Sequence, residues 1–312
     1  MGSEAPLKVT VVVCTFNRVK WLPKCLESLQ TQDPPPDEII VVDGPSTDGT
    51  RELLEELEAR GEIRLVRQGK LDGISSARNL GLHAAIGDIV CFVDDDAVAE
   101  PGWLAAVKEG YRDPVVAGVG GPVLNMEGKL SMGRNAVSTE GLWFDESRNE
   151  RTQGLYPVMV GCNMSFRKGP LMKAGCFDPY FKYHQDETDA CLGVLALGYS
   201  IIYSERAVVR HEWCDGSYRQ DVLRWYLRLR YLWGRNNSYL VRKHFGDKVP
   251  FTRYCGNRFH AFVERRTLAT KSPGEKMRKG DSMPRFLAAM GLVSEACGLV
   301  LGWKDALSAR RT

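Results

Sequence analysis

Hydrophobic and polar positions along the first hundred residues predict repeated strand–helix units. Val9 to Thr15 (VTVVVCT) is a nearly unbroken β-branched run that stops at the polar turn Asn17-Arg18. A strand apolar on both faces suits the middle of a parallel sheet. Trp21, Leu22, Cys25, Leu26 and Leu29 then recur at helical spacing, and Pro34, Pro35 and Pro36 stop that helix. Ile39 to Val42 predicts a second strand, followed by the turn Asp43-Gly44-Pro45-Ser46. Thr47 to Arg60 predicts a helix with Leu53, Leu54 and Leu57 on one face, and Ile63 to Val66 a short third strand. Ser75 to Ala85 is helical in pattern, and the strand Ile89 to Val93 runs into Asp94-Asp95-Asp96. The order βαβαβαβ predicts an α/β domain with a mainly parallel central sheet. Ligands of such sheets bind beyond the carboxyl ends of the strands, where Thr15, Asp43 and Asp94 to Asp96 all stand.

The second half is less regular. Val158 to Arg167 is strand-like, Asp189 to Leu197 is helix-like and follows Asp186-Glu187, and Ile201 to Tyr203 and Ala207 to Arg210 read as short strands. Past Trp213 the pattern turns helical. Val222, Trp225, Tyr226, Leu229, Leu232 and Trp233 form one apolar stripe, while Arg224, Arg228, Arg235 and Arg242 lie mostly on another face. Residues 246–284 are basic and interrupted by Gly and Pro, and read as weakly structured. The expected division is a catalytic α/β domain over residues 1–215 and a basic, helical C-terminal region over 216–312.

Composition narrows the class. A chain of 312 residues that is 44% hydrophobic and 26% charged is neither disordered nor a coiled coil throughout. Nine Cys is an odd count and no C-x-x-C pair occurs, which disfavours a disulfide scaffold or a Cys-based zinc site and fits a reducing compartment. Met1 to Lys8 lacks the apolar core of a signal peptide, and Phe286 to Trp303, the nearest approach to a membrane span, is interrupted by Glu295. A cytoplasmic location is expected. The net charge of +3 hides an asymmetry: residues 205–312 carry 22 Lys+Arg against 10 Asp+Glu, and the rest carry 20 against 29. The acidic part suits a metal or polyphosphate site; the basic part suits an anionic partner or is a solvated tail.

Three consecutive carboxylates at the end of a buried strand repel one another unless a cation sits there. A divalent ion with hard oxygen ligands, Mn²⁺ or Mg²⁺, is the natural partner and brings phosphate oxygens with it; the alternative is an acidic cluster ahead of the helix that starts near Trp103. His211 is a lone histidine that gains a metal role only if the fold brings it to Asp96. Asp186 and Glu187 read either as helix N-terminal acids or as a general base. Arg78 has the fork that suits pyrophosphate, or is a surface Arg. Thr15, Asn17 and Asp43 can hold a base or ribose and are also ordinary turn residues.

Taken in order, these segments resemble the family 2 glycosyltransferases. The matching pieces are VVVCTFNR (Val11 to Arg18), IIVVDGPSTDGT (Ile39 to Thr50), SSARNLGL (Ser75 to Leu82), IVCFVDDD (Ile89 to Asp96), Pro101 to Leu104, GCNMSFR (Gly161 to Arg167), DETDACL (Asp186 to Leu192), Gly198-Tyr199 and His211 to Trp213. The resemblance covers roughly residues 8–215 and implies a GT-A fold. It also implies an inverting, metal-dependent enzyme that moves a sugar from a nucleotide-diphosphate donor (UDP, GDP or dTDP type) to an acceptor hydroxyl. The acceptor classes are a glycan, a lipid-linked molecule or a small molecule, with no nucleic acid as partner.

By that resemblance, Thr15, Asn17 and Arg18 lie at the first nucleotide-binding strand end, Asp43 holds the base, and Arg78 stands near the donor phosphates. Asp95 touches ribose or sugar, and Asp94 as well stands in the substrate site. Asp94, Asp96 and His211 form the metal shell. Gly161 and Asn163 line the donor-sugar or acceptor pocket. The base comes from Asp186-Glu187, with Glu187 at the usual position; most members have Asp there, and Gly193 stands where many have Arg. Many members act on lipid-linked acceptors, so residues 219–245 are expected to associate with a membrane surface, peripherally on its cytoplasmic face; the plainer reading packs this helix on the catalytic domain. Two rival enzymes fit parts of the pattern. Asp94-Asp95-Asp96-Ala97-Val98 matches the nucleophile motif of haloacid-dehalogenase-type phosphohydrolases with Asp94 as nucleophile, but stands on the fourth strand rather than the first. A sugar nucleotidyltransferase would need a glycine-rich loop where Cys14 to Arg18 stands. A non-catalytic scaffold would not need the intact acids.

Overall fold

A computed structural model of the protein describes residues 7–146, 150, 152–212, 222–246, 248–256 and 285–309. The chain forms two compact units, Met1–Ala136 with Phe144–Cys214 and Val137–Trp143 with Asp215–Thr312. The strands are β1 (Val9–Thr15), β2 (Glu38–Asp43), β3 (Arg64–Arg67), β4 (Ile89–Asp94), β5 (Ala97–Ala99), β6 (Val116–Gly120), β7 (Val123–Leu124), β8 (Leu130–Met132), β9 (Asn135–Val137), β10 (Trp143–Asp145), β11 (Tyr156–Val158), β12 (Asn163–Arg167), β13 (Ser200–Tyr203) and β14 (Val209–His211). The helices are α1 (Leu22–Gln30), α2 (Thr50–Ala59), α3 (Ile74–Ala84), α4 (Trp103–Gly110), α5 (Lys168–Lys173), α6 (Asp186–Ala196), α7 (Val222–Phe245) and α8 (Arg285–Ala309).

The central sheet of the first unit has seven strands in the order β13-β6-β12-β4-β1-β2-β3. Strand β1 pairs in parallel with β2 and β4, and β2 with β3, as the alternating pattern predicts. Its continuous apolar runs are buried on both faces: Val9, Val11, Val13, Ile40, Val41, Ile89 and Val90 are inaccessible to solvent. Each such side chain contributes about 1.5–3 kcal/mol over its exposed state. Helix α1 buries the stripe read from sequence, Leu22, Cys25, Leu26 and Leu29. Strand β12 enters antiparallel between β4 and β6, so the sheet is mixed, though mostly parallel.

Several elements differ from expectation. The run from Val158 to Arg167 is not one strand: it breaks between β11 and β12, with Asn163 N–H donating to Val160 O at 2.9 Å. Helix α6 begins at Asp186 rather than Asp189, which places both candidate bases in its first turn. Strands β5, β14, β7 and β8 form a second sheet of very short strands, of which only β14 overlaps a strand read from sequence, Ala207 to Arg210. Residues 213–221 and 257–284, including Trp213 and most of the stretch read as weakly structured, lie outside the described residues.

In the second unit α7 and α8 lie against each other along glycines. A Cβ on Gly298 would stand 2.1 Å from Tyr231 O, and one on Gly302 2.0 Å from Arg235 O. Asn236 to Val241 of α7 are all buried. This part of α7 is enclosed by protein; Tyr226, Leu229, Leu232 and Trp233 of the apolar stripe read from sequence lie in its other half and are half-buried.

Helix α3 crosses β1 at Gly81, where a Cβ would lie 2.4 Å from Val12 Cγ1, itself 1% exposed. Overpacking at such a contact costs about 1–3 kcal/mol. Gly81→Val is expected to lower stability by about that amount, measured as the urea midpoint with an unchanged slope; an unaltered midpoint would show that the helix yields freely there.

Candidate active site

The carboxyl ends of β1, β2 and β4 bring Thr15, Asp43 and Asp94 to one edge. Thr15 Oγ1 donates to Asp95 Oδ2 at 2.7 Å, and Arg18 Nε lies 3.6 Å from Asp95 Oδ1, with its fork 4.0 Å from Asp96. Burial pushes the Asp95 carboxyl up to about 7, against the pull of Thr15 and Arg18. Asp43 is 1% exposed, and neither of its carboxylate oxygens has a hydrogen-bond partner among the described residues. Its nearest cation is Arg51, 3.6 Å away. A buried carboxylate left this way costs free energy until a donor reaches it. Asn17, at a left-handed φ of 56°, instead knits the loops together: its Oδ1 accepts from Thr47 N–H at 2.8 Å and its N–H donates to Ser46 Oγ at 2.9 Å.

His211 arrives through the small sheet. Strand β14 runs antiparallel to β5 with His211 opposite Ala97, and Glu212 N–H donates to Asp96 O at 3.1 Å. This register puts His211 Nε2 3.1 Å from Asp96 Oδ1 and 3.5 Å from Asp94 Oδ2. Burial alone would lower the imidazole pKa, but hydrogen bonds to Asp94 and Asp96 outweigh it and raise it to about 9. Burial would likewise raise Asp94, yet the His211 hydrogen bond and the Arg78 charge hold it below the usual carboxylate range. A neutral imidazole with two carboxylates suits Mn²⁺ or Mg²⁺ by donor chemistry. Cys162 was not anticipated. Its Sγ, one oxygen of Asp94 and one nitrogen of His211 lie within 4.8 Å of one another. The antiparallel register of β12 with β4, Asn163 opposite Val93, brings it there. Burial raises its thiol pKa well above normal, which disfavours the thiolate there.

Arg78 is the bridge between acids. Its guanidinium, 6% exposed, pairs with Asp186, lies 3.4 Å from Asp94 Oδ1 and donates to Gly161 O at 3.1 Å. Burial would lower its pKa, but the charges of Asp186 and Asp94 raise it and keep it cationic. Arg78 is therefore occupied by protein rather than free for phosphate. Gly161 leaves room for it, since a Cβ there would stand 2.8 Å from Arg78 Nη2. Asn163 also faces protein. It accepts from Trp103 Nε1 at 3.0 Å and donates to Ala207 O at 2.8 Å and Pro122 O at 3.2 Å, which makes it a brace rather than a pocket wall.

The acids of α6 are aimed by a strained entry. His184 and Gln185, with φ of 63° and 73°, are consecutive left-handed residues before its first turn. Each costs about 1–3 kcal/mol, a strain that persists where function over-determines it. Asp186 is held by Arg78, whereas the Glu187 carboxyl is driven well up, first by burial and then by the Asp186 charge beside it.

The comparisons with known proteins bear on this arrangement. The family model described as "Glycosyl transferase family 2" matches residues 10–175, just over half the chain. The chain belongs to glycosyl transferase family 2. The glycosyltransferase is 28% identical over 221 residues, 66% of its length, to a glucosyl-dolichyl phosphate glucuronosyltransferase of Haloferax volcanii, covering 69% of that protein. It is 33% identical over 127 residues to a GalNAc(5)-diNAcBac-PP-undecaprenol beta-1,3-glucosyltransferase of Campylobacter jejuni, 40% of this chain and 41% of that one. Among solved structures, the Pyrobaculum calidifontis mannosyltransferase PcManGT, in complex with GDP-Man and Mn²⁺, shares the fold at a TM-score of 0.56 and 21% identity, over 98% of this chain and 75% of that one. GalNAc-T7 with UDP, GalNAc and Mn²⁺ also scores 0.56, at 18% identity over 68% of this chain and 45% of that one. The fold is GT-A-like, and the phosphohydrolase and nucleotidyltransferase readings fall.

The His211 pair sets a pH dependence in the metal-free protein. A histidine whose folded pKa is raised stabilises fully below its ordinary value near 6.5, and that contribution is lost as pH climbs through about 9. In chelator, the wild type is expected to lose on the order of 3 kcal/mol more than His211→Gln between those limits. Parallel urea midpoints for the two proteins would contradict it.

Proposed function

We propose that this glycosyltransferase moves a sugar, with inversion, from a nucleoside-diphosphate donor to an acceptor hydroxyl. The observation that carries the reading is the convergence of His211 from β14 on Asp94 and Asp96 from the end of β4. These three residues would hold Mn²⁺ or Mg²⁺. The ion, when bound, supplies positive charge to the leaving diphosphate. The Mn²⁺ in the complexes of PcManGT and GalNAc-T7 supports this choice.

The residues of the chain divide the remaining work. Asp43 accepts an N–H of the nucleobase, the donor its buried oxygens lack. Asp95, oriented by Thr15 and Arg18, meets ribose or sugar hydroxyls. Arg78 is a positioning residue: it fixes Asp94 and Asp186, and with Gly161 it shapes the rim next to the donor. Asn17 and Asn163 hold the loops and strands around that rim.

Glu187 is the base. Asp186 is engaged by Arg78, which leaves Glu187 as the carboxyl that can meet the acceptor hydroxyl. Its carboxylate takes the hydroxyl proton as the acceptor oxygen bonds to the anomeric carbon. The bond from that carbon to the diphosphate oxygen breaks on the opposite face, and the nucleoside diphosphate leaves. In-line positioning of both substrates supplies much of the acceleration. UDP, GDP and dTDP donors all suit Asp43. A lipid-linked acceptor is the favoured class, since the Haloferax and Campylobacter relatives are named for dolichyl phosphate and PP-undecaprenol substrates. A cytoplasmic enzyme at the membrane face fits that acceptor. No helix among the described residues is long and apolar enough to cross a membrane.

Glu187→Gln is expected to keep donor affinity while slowing transfer by about 10²–10⁴-fold. Nucleotide-sugar titration beside a single-turnover transfer assay checks this. Retained turnover would remove Glu187 as the base, and lost donor binding would move it into the donor pocket.

A further inference from the structure

Helix α8 has two unlike faces. One faces α7: Gly298 and Gly302 let its backbone meet that of Tyr231 and Arg235, Ser294 Oγ donates to Leu227 O at 2.8 Å, and Ala306 is 2% exposed. Small residues at such spacing allow helices to approach closely. With backbone against backbone, α8 cannot roll about its axis. The opposite face is aliphatic and open. Val293, Val300 and Leu307, spaced seven apart, are 66%, 56% and 40% exposed, and Leu301 beside them is 43% exposed. At 100° per residue these positions share one stripe with Cys297 and Lys304, running about 21 Å along the helix.

The charges of α8 sort in the same way. Glu295 is drawn to Arg230 and Asp305 to Arg235, both on α7. Lys304 is the only charged residue at the positions of the open stripe, and Arg310-Arg311 follow directly in sequence. Exposed Arg224, Arg228, Lys248 and Arg253 add to the positive character of this unit. A second copy of the chain laid on this face would bring cation against cation. An anionic lipid surface offers both partners the stripe lacks: acyl chain for the aliphatic side chains and headgroup charge for Lys304.

We propose that the outer face of α8 docks the protein on an anionic membrane surface. The helix would lie in the interface with Val293, Val300, Leu301 and Leu307 among the acyl chains and Lys304 at headgroup level. This inference goes beyond the transferase reading and does not depend on it, because the stripe lies in the second unit and uses none of the residues assigned to sugar transfer.

The test is co-sedimentation of the full chain with phosphatidylcholine vesicles, with and without phosphatidylglycerol, at low and high salt. Binding is expected to the anionic vesicles, to weaken with salt, and to fall by at least about tenfold in Val300→Asp/Leu307→Asp. Lys304→Glu is expected to weaken it as well. Both substituted aliphatic positions are solvent-exposed, so an unchanged thermal transition and an unchanged shift with UDP and Mn²⁺ should accompany the loss; that shift also reads the transferase site separately from the membrane result. If the double variant fails to fold, an environment-sensitive fluorophore on Cys297, exposed on the same stripe, reads the face directly: a blue shift with anionic vesicles supports docking, and none overturns it. The proposal is overturned if the wild type ignores vesicles or if the aspartate pair leaves binding intact. It is equally overturned if the aspartate pair abolishes self-association in sedimentation velocity, which would make a second copy the occupant.

Discussion

Arg78 is a buried cation among buried acids, and the catalytic edge depends on it. Asp94 ends β4 and Asp186 opens α6, 92 positions later in the chain, yet one guanidinium touches both. Removing one partner from such a cluster costs about 3–5 kcal/mol, because the remaining charges stay buried and unbalanced. The arginine is itself placed by its helix. Gly73, at φ 93°, opens α3 where a Cβ would strike the Lys182 backbone, and Ile74 N–H donates to Lys182 O at 3.2 Å. The loop leading to Glu187 is thus tied to the helix that carries Arg78, the cation that holds Asp186.

The cluster of Asp94, Asp96 and His211 depends on a second constraint, the register of two short strands. A one-residue slip of β14 against β5 would turn His211 to the other face and leave Asp94 and Asp96 facing each other. With the observed register, a protonated imidazole balances the carboxylates in the absence of a metal. The same arrangement explains why a site built from three acids in sequence remains folded before it meets its ligand: Thr15, Arg18, Arg78 and His211 each neutralise or hydrogen-bond part of it.

Much of the sheet was legible because buried parallel strands are continuous apolar runs. Val9 to Thr15 and Ile89 to Val93 read as strands from their β-branched content, and the acids at their ends marked the edge where ligands bind. The antiparallel entry of β12 was not legible, because Val158 to Arg167 reads as one strand-like run in which only Gly161 and Asn163 stand at the break, and strand direction leaves no mark in such a pattern. Cys162 was missed for the same reason: its approach to Asp94 is a matter of register. Asn163 looked like a pocket residue and is a brace, since a buried carboxamide satisfied by Trp103, Ala207 and Pro122 cannot be told in sequence from one offered to substrate. In helix α7, Asn236, Asn237 and Ser238 are buried, whereas Tyr226, Leu229, Leu232 and Trp233 of the stripe read from sequence are half-buried; the open aliphatic face belongs to α8.

Asp94, Asp96 and His211 would hold the metal of a nucleoside-diphosphate site in which Asp43 would read the base. Calorimetric titration of UDP, GDP and dTDP, with Mn²⁺ and in chelator, tests it most directly. At least one nucleotide is expected to bind at least about tenfold more tightly with Mn²⁺, a coupling of roughly 1.4 kcal/mol or more, and His211→Ala is expected to remove the difference. Equal affinity with and without the ion, or no binding of any nucleotide, would contradict it.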